Sequence, residues 1–196
     1  MRLPYTSNPP LFEDPAEAAV VDRIAARRAP RPLQPLDLAL LHAPPVADGW
    51  NAFLGAVRTK TPNISADLRE LAVSRVAVVN RAWYEWGHHA PLAAKEGVSE
   101  AGLEVVKQPE AFLLATVPAA ETGLTPTQWA VLVYTDEMTR NVEVADATFE
   151  HLRTLFDERQ IVELTAVIAC YNCVSRFLVA LDETAQGQMQ GIECTG

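Results

Sequence analysis

The stretch from Asp67 to Glu100 constrains the fold more than any other part of the chain. Leu68, Ala72, Val76, Val79, Trp83 and Trp86 recur every three or four positions there, the spacing of a single buried stripe along a helix. The same period returns elsewhere, and no run alternates in the manner of a strand, so the sequence predicts an all-α bundle. Helix starts are written plainly. Asp14-Pro15-Ala16-Glu17 opens a helix to about Arg28 with Ala18, Val21 and Ile24 inward, and Thr125-Pro126-Thr127-Gln128 is a capping box for a helix to about Arg140. Asp146 and Asp157 cap two more, Ala147 to Phe156 and Glu158 to Glu183.

Between these signals, Pro4, Pro9 and Pro10 mark an extended N-terminal arm, and Pro30, Pro32 and Pro35 a linker. Leu36 to His42 forms a short helical turn closed by Pro44-Pro45, followed by an amphipathic helix from Val46 to Thr59 with Trp50, Phe53, Leu54 and Val57 inward. Ser65 caps the central helix and Gly97 ends it. Ser99 starts a short helix through Lys107, and a surface connection anchored by Phe112 and Leu113 leads to Gly123. The expected organisation is an arm and helix over 1–35 and a helical domain over 36–196.

A net charge of −9 over 196 residues argues against nucleic acid or an anionic membrane as partner, since both need clustered Lys and Arg. No apolar run approaches the roughly 18 residues of a span, and the start has no signal-peptide core. Cys170, Cys173 and Cys194 are too few for a disulfide framework. A soluble, cytoplasmic protein is expected. Cys170 and Cys173 lie within the apolar run from Val167 to Val174 and read as packing residues.

The polar residues of the central stretch hold the chemistry. Glu85 and His89 are four apart, so on a helix they sit about 40° from one another and can meet on one face, while His88 points elsewhere. Pro91 has no N–H for the carbonyl of Gly87, which predicts a bend or loosening beside the histidines. Glu70, flanked by Leu71 and Ala72, either pairs with Arg69, Arg75 or a neighbouring helix, or is a desolvated acid facing His89. Fifteen residues of straight helix would hold Glu70 about 22 Å from Glu85. A shared site therefore needs the chain to break, and the polar pair Asn80-Arg81 is where the break is expected. Adjacent His88 and His89 diverge, so no metal is expected. His42 and His151 read as structural or solvated, and Trp83 as core.

Arg69-Glu70-Leu71, Tyr84-Glu85-Trp86, His89 and the break at Gly97 together resemble the carboxymuconolactone decarboxylase family, which includes the AhpD-type alkylhydroperoxidases. The resemblance extends from about Leu40 to Leu181 and takes in Leu41-His42-Ala43-Pro44 and Tyr171-Asn172. In the peroxidase branch a glutamate is followed by Cys-x-x-Cys-x-x-x-His. Here Glu70 matches the glutamate and His89 the histidine, whereas Ala82 and Glu85 stand at the two cysteine positions. The resemblance thus implies the non-cysteine branch, an AhpD-like bundle, and a homo-oligomer, trimer or hexamer. It implies a cofactor-independent acid–base enzyme acting on a small-molecule lactone or carbonyl-activated carboxylate in aromatic compound metabolism, with possible loss of carbon dioxide. His89, Glu85 and Glu70 are the expected catalytic residues, with His89 as proton donor and Glu85 orienting it. Tyr84, Trp86 and His88 are the expected substrate contacts. Ala90-Pro91 stand where relatives often carry an arginine, for which Arg58, Arg75 or Arg81 would have to substitute. A non-catalytic oligomer and a thiol-dependent peroxidase are the alternatives.

Overall fold

The computed structural model describes residues 2–112 and 122–181, and every regular element among them is an α-helix: α1 (Pro15–Arg28), α2 (Pro35–Leu40), α3 (Pro44–Thr59), α4 (Ala66–Val79), α5 (Trp83–Lys95), α6 (Glu100–Val106), α7 (Pro126–Arg140), α8 (Asp146–Leu155) and α9 (Glu158–Leu181). Leu113, Cys194 and the last two residues expected in α9 lie outside the described residues. The chain divides into two compact units, Met1–Lys60 and Thr61–Gly196.

In the first unit α3 packs on both α1 and α2. Asp14 caps α1, its carboxylate accepting from the Ala16 N–H at 2.8 Å, and the buried positions are Val20 and Ile24 rather than Val21. Arg28 grips Asp37 of α2 through two bonds of 2.8 Å. Pro44 and Pro45 begin α3 instead of closing α2, because a first-turn proline lacks only an N–H that no helical carbonyl would have received. Leu54 and Val57 of α3 are buried as expected, but Phe53 is exposed and Trp50 only half-buried. The arm is tied down: the Thr6 hydroxyl donates to the Leu38 carbonyl (2.9 Å) and His42 Nε2 to the Pro4 carbonyl (2.6 Å).

The second unit is built around α4, which contacts α5, α6, α7 and α9. The expectation of one buried stripe is corrected here. From Glu70 to Val78 every α4 residue, polar ones included, is buried, since neighbours surround the helix on all sides. Leu71, Val73 and Val76 meet a core that includes Leu132 of α7 and Leu164 and Ile168 of α9, all fully buried. Trp83 and Trp86 are half-buried. The Thr125–Gln128 capping box forms at α7, and Asp157 and Gln160 bond reciprocally at the start of α9. Ser65 holds the N-cap position of α4 without a side-chain cap bond, and Asp146 lies in the first turn of α8 with Ala145 as its cap.

Arg75 is wholly buried. It donates to Asp136 of α7 (2.8 and 2.5 Å) and to the carbonyls of Val106 (2.8 Å), Gln108 (2.5 Å) and Glu110 (2.6 Å), while its guanidinium lies 4.2 Å over the Phe112 ring. Asp136 also accepts from Arg140 and from the Phe112 N–H. This guanidinium fixes the chain after α6 and is spent on structure, which removes Arg75 from the arginines expected to serve a substrate.

α9 is the one helix among the described residues long and apolar enough to cross a membrane, and half of its most apolar stretch is buried in the bundle. This corrects the expectation that no apolar run approaches the length of a span, although Glu163 and Asn172 interrupt the helix and its buried half packs in the core.

Candidate active site

The site depends on how α4 ends. The Ala82 N–H reaches back to the Ala77 carbonyl (2.8 Å) and the Arg81 N–H to the Val78 carbonyl (3.1 Å), the paired bonds of a Schellman stop. Its left-handed position is usually glycine but is Arg81, with φ of 57°. An arginine there costs about 1 kcal/mol. The turn is held from α9: Asn80 Nδ2 donates to Asn172 Oδ1 (3.0 Å) and to Ser175 Oγ (2.6 Å). The chain therefore breaks at Asn80–Ala82, and α5 folds back along α4. Gly97, with φ of 106°, closes α5 by the same pair of bonds, Val98 to Ala93 (2.9 Å) and Gly97 to Ala94 (3.1 Å).

The fold-back brings Glu70 and His89 together. Nδ1 of His89 donates to Oε2 of Glu70 at 2.6 Å, with both side chains buried. The other carboxylate oxygen of Glu70 takes Arg69 Nε at 3.4 Å. A carboxylate on Nδ1 fixes the proton there and leaves Nε2 as the ring's basic atom. The imidazole also stands edge-on to Tyr171 of α9, ring centroids 4.9 Å apart and planes 80° apart.

Glu85 lies one turn before His89 on the buried face of α5, 3% exposed. Neither of its carboxyl oxygens has a hydrogen-bond partner among the described residues. This corrects the expected Glu85–His89 contact: the imidazole takes its carboxylate from α4. Burial pushes the Glu85 carboxyl well above the usual carboxylate range. Burial thus favours its undissociated form, in which it is a donor without an acceptor among the described residues.

The remaining expected residues are placed differently. His88 is exposed, its Nδ1 bonding the Tyr84 carbonyl at 2.8 Å, and the two rings lie 4.3 Å apart. Tyr84 and Trp86 are half-buried. α5 runs on through Pro91 as continuous helix, contrary to the expected loosening. The proline forfeits one bond to the Gly87 carbonyl, and both residues are exposed to solvent. Cys170 is buried, but Cys173 is exposed, so only one of the two thiols packs as expected. Among the described residues no group of three His, Cys, Asp or Glu side chains is arranged to hold a metal. Glu163 of α9, followed like Glu70 by a leucine, is bound instead by Asn63 Nδ2 (2.7 Å) and Arg159 (3.0 Å). Tyr171 is the neighbour of His89 that the residue pattern did not single out; its only signal was its place in the distal Tyr171-Asn172 pair.

A buried acid–imidazole pair across a helical hairpin in an all-α bundle defines an AhpD-like fold with a candidate acid–base centre. Residues 44–137 match the profile of the carboxymuconolactone decarboxylase family. Among crystal structures, an Agrobacterium tumefaciens protein of unknown function, named for antioxidant defence as AhpD, superposes with a TM-score of 0.60 at 21% identity, covering 72% of this chain and 91% of that one. The debrominase Bmp8 superposes with a TM-score of 0.66 at 15% identity in its apo form, covering 94% of this chain and 96% of its own. A cysteine-to-alanine variant of Bmp8 in complex with 2,3,4-tribromopyrrole gives 0.65 over the same shares. These likenesses show the fold. No curated protein matches the chain.

Proposed function

We propose that the protein is a cofactor-independent acid–base enzyme acting on a lactone or carbonyl-activated carboxylate. The observation that carries this reading is the pairing of His89 with Glu70 beside a second, undissociated carboxyl at Glu85. A base beside an acid whose burial favours its protonated form is what enolisation requires. His89 Nε2 takes the proton from carbon α to the carbonyl while Glu85 gives its proton to the carbonyl oxygen, so the C–H electron pair enters the enol and no net charge is left on the substrate. In the decarboxylating variant the C–C bond to the departing carboxylate supplies that electron pair and Glu85 protonates the oxygen. A protonated His89 then gives its proton to carbon while the enol hydroxyl returns its proton to Glu85, so the single proton consumed enters through His89. Glu70 steadies the imidazolium throughout.

The arrangement favours a substrate of low charge. Two carboxyls, Glu70 on the imidazole and Glu85 one turn before it on α5, lie close to the proposed base, Arg75 is occupied by Asp136 and three carbonyls, and Arg81 is exposed at the turn. That a debrominase of this fold has been captured with a tribromopyrrole supports a small planar ring as ligand. We also propose that the protein works as a homo-oligomer, because the outer face of α9 exposes Val162, Ala169 and Cys173 and α8 exposes Phe149; a single monomeric species in sedimentation at micromolar concentration would contradict this. The central test incubates wild type and His89→Ala with a panel of neutral and carboxylated five-membered lactones in deuterium oxide. Solvent deuterium entering the α position, or carbon dioxide release, with wild type alone supports the reading. Equal exchange with both proteins removes it.

A further inference from the structure

A hydrogen bond at one ring nitrogen does not by itself stop an imidazole from swinging about its Cβ–Cγ bond, and a His89 that swings loses both its bond to Glu70 and the direction of Nε2. The opposing restraint comes from α9. We infer that Tyr171 is a positioning residue of the Glu70–His89 pair, holding the imidazole ring on its hydrogen bond through the perpendicular ring contact. This rests on reading that pair as the acid–base centre.

Tyr171 is 3% exposed and meets the His89 ring at 4.9 Å and 80°. It is placed by its neighbour. Asn172 donates to Thr139 Oγ1 of α7 (3.1 Å) and to the Ile168 carbonyl (3.1 Å), and its own Oδ1 accepts from Asn80 (3.0 Å) and from Arg176. Ser175, one turn on, accepts from the same Asn80 amide at 2.6 Å. Asn80 is also the C-cap of α4, at the break that turns α5 back. The helices carrying Glu70, His89 and Tyr171 are thus all referenced to one side chain, so the register of α9 and the closure of the hairpin are fixed together. A buried asparagine with donors and acceptor all engaged, Asn172, locked to the half-buried Asn80, is costly to assemble for packing alone, where apolar residues would serve as well. Their position beside Tyr171 and the turn assigns them the alignment of the ring.

The test needs no substrate. Protein labelled with nitrogen-15 at its four histidines reports ring tautomer and proton exchange by NMR, with His89→Gln assigning the resonance. Wild type and Tyr171→Phe are expected to show a single Nδ1–H tautomer at His89. Tyr171→Leu should mix tautomers and speed exchange of that proton about three- to tenfold, the scale an aromatic contact restrains. Asn172→Ser, which keeps the ring but loosens its anchor, should move in the same direction and serves if Tyr171→Leu does not fold. An unchanged His89 tautomer and exchange rate in a folded Tyr171→Leu or Asn172→Ser variant would overturn the inference while leaving the role of Glu70 and His89 standing. A loss of ordering in Tyr171→Phe as large as in Tyr171→Leu would also overturn it, because the hydroxyl rather than the ring contact would then be responsible. Absence of any turnover, by contrast, would count against the proposed activity alone.

Discussion

His89 Nδ1 lies 2.6 Å from Glu70 Oε2 although the two residues are 19 apart in sequence and sit on different helices. Along one unbroken helix that separation would hold them nearly 30 Å apart, by about 1.5 Å per residue. The Schellman stop at Asn80–Ala82 removes the gap, and a left-handed arginine is the local cost. Fold and site therefore share one turn.

Loss of either partner should show first in turnover. Glu70→Gln and His89→Ala are each expected to lower the rate on an accepted lactone by about 10²–10⁴-fold, the range for removing a general acid, base or its orienting group. Circular dichroism should stay that of the wild type. Equal rates in wild type and both variants would remove the pair from the mechanism.

Glu85 should make stability fall as pH rises. Its folded carboxyl keeps a proton at pH values where the unfolded chain, titrating near about 4.3, has lost it. The folded state binds more protons, so its advantage is complete below the unfolded value and declines above it, up to the raised folded value. Glu85→Gln keeps the shape and cannot ionise. The unfolding midpoint of this variant relative to wild type should therefore rise as pH increases above the unfolded carboxyl's titration range. A difference independent of pH would show that Glu85 is ionised in the folded protein.

Much of the fold was legible because capping is local chemistry. Asp14 and Thr125 announced α1 and α7 within a residue, and the Asn80-Arg81 pair marked the break that joins Glu70 to His89. Prolines were read less well. Pro44-Pro45 begin a helix and Pro91 continues one, and sequence cannot tell a first-turn proline from a terminating one without knowing where neighbouring N–H groups go. The spacing of Glu85 and His89 correctly put them on one face of α5. It could not show that a carboxylate from α4 would reach the imidazole first, because that depends on packing between helices. Arg75 and Tyr171 were hidden for the same reason.

The thiols should be separable by exposure. A maleimide reagent is expected to modify Cys173 in the native protein and Cys170 only after unfolding. Replacing Cys170, Cys173 and Cys194 by alanine should leave turnover within about twofold, with the stability loss, about 1 kcal/mol, arising from the buried Cys170. Abolished turnover in a folded triple variant would return the thiols to the mechanism.

Arg75 should be the most stabilising charge in the second unit. Its removal in Arg75→Leu strands three carbonyls and the buried Asp136, and breaking a buried pair on one side costs about 3–5 kcal/mol. Arg140 still reaches Asp136 at 3.0 and 3.1 Å, so the loss should fall toward the lower end. Arg75→Lys should recover little, because one ammonium cannot meet Asp136 and carbonyls on three residues at once, nor lie flat over Phe112. Adding Asp136→Leu to Arg75→Leu removes the stranded charge and should be less destabilising than the sum of the two single substitutions. Urea unfolding of the wild type, the three single variants and the double variant measures each term. Simple additivity, or a cost for Arg75→Leu below about 1 kcal/mol, would show that the guanidinium is dispensable to the bundle and would reopen it as a group for binding an anionic substrate.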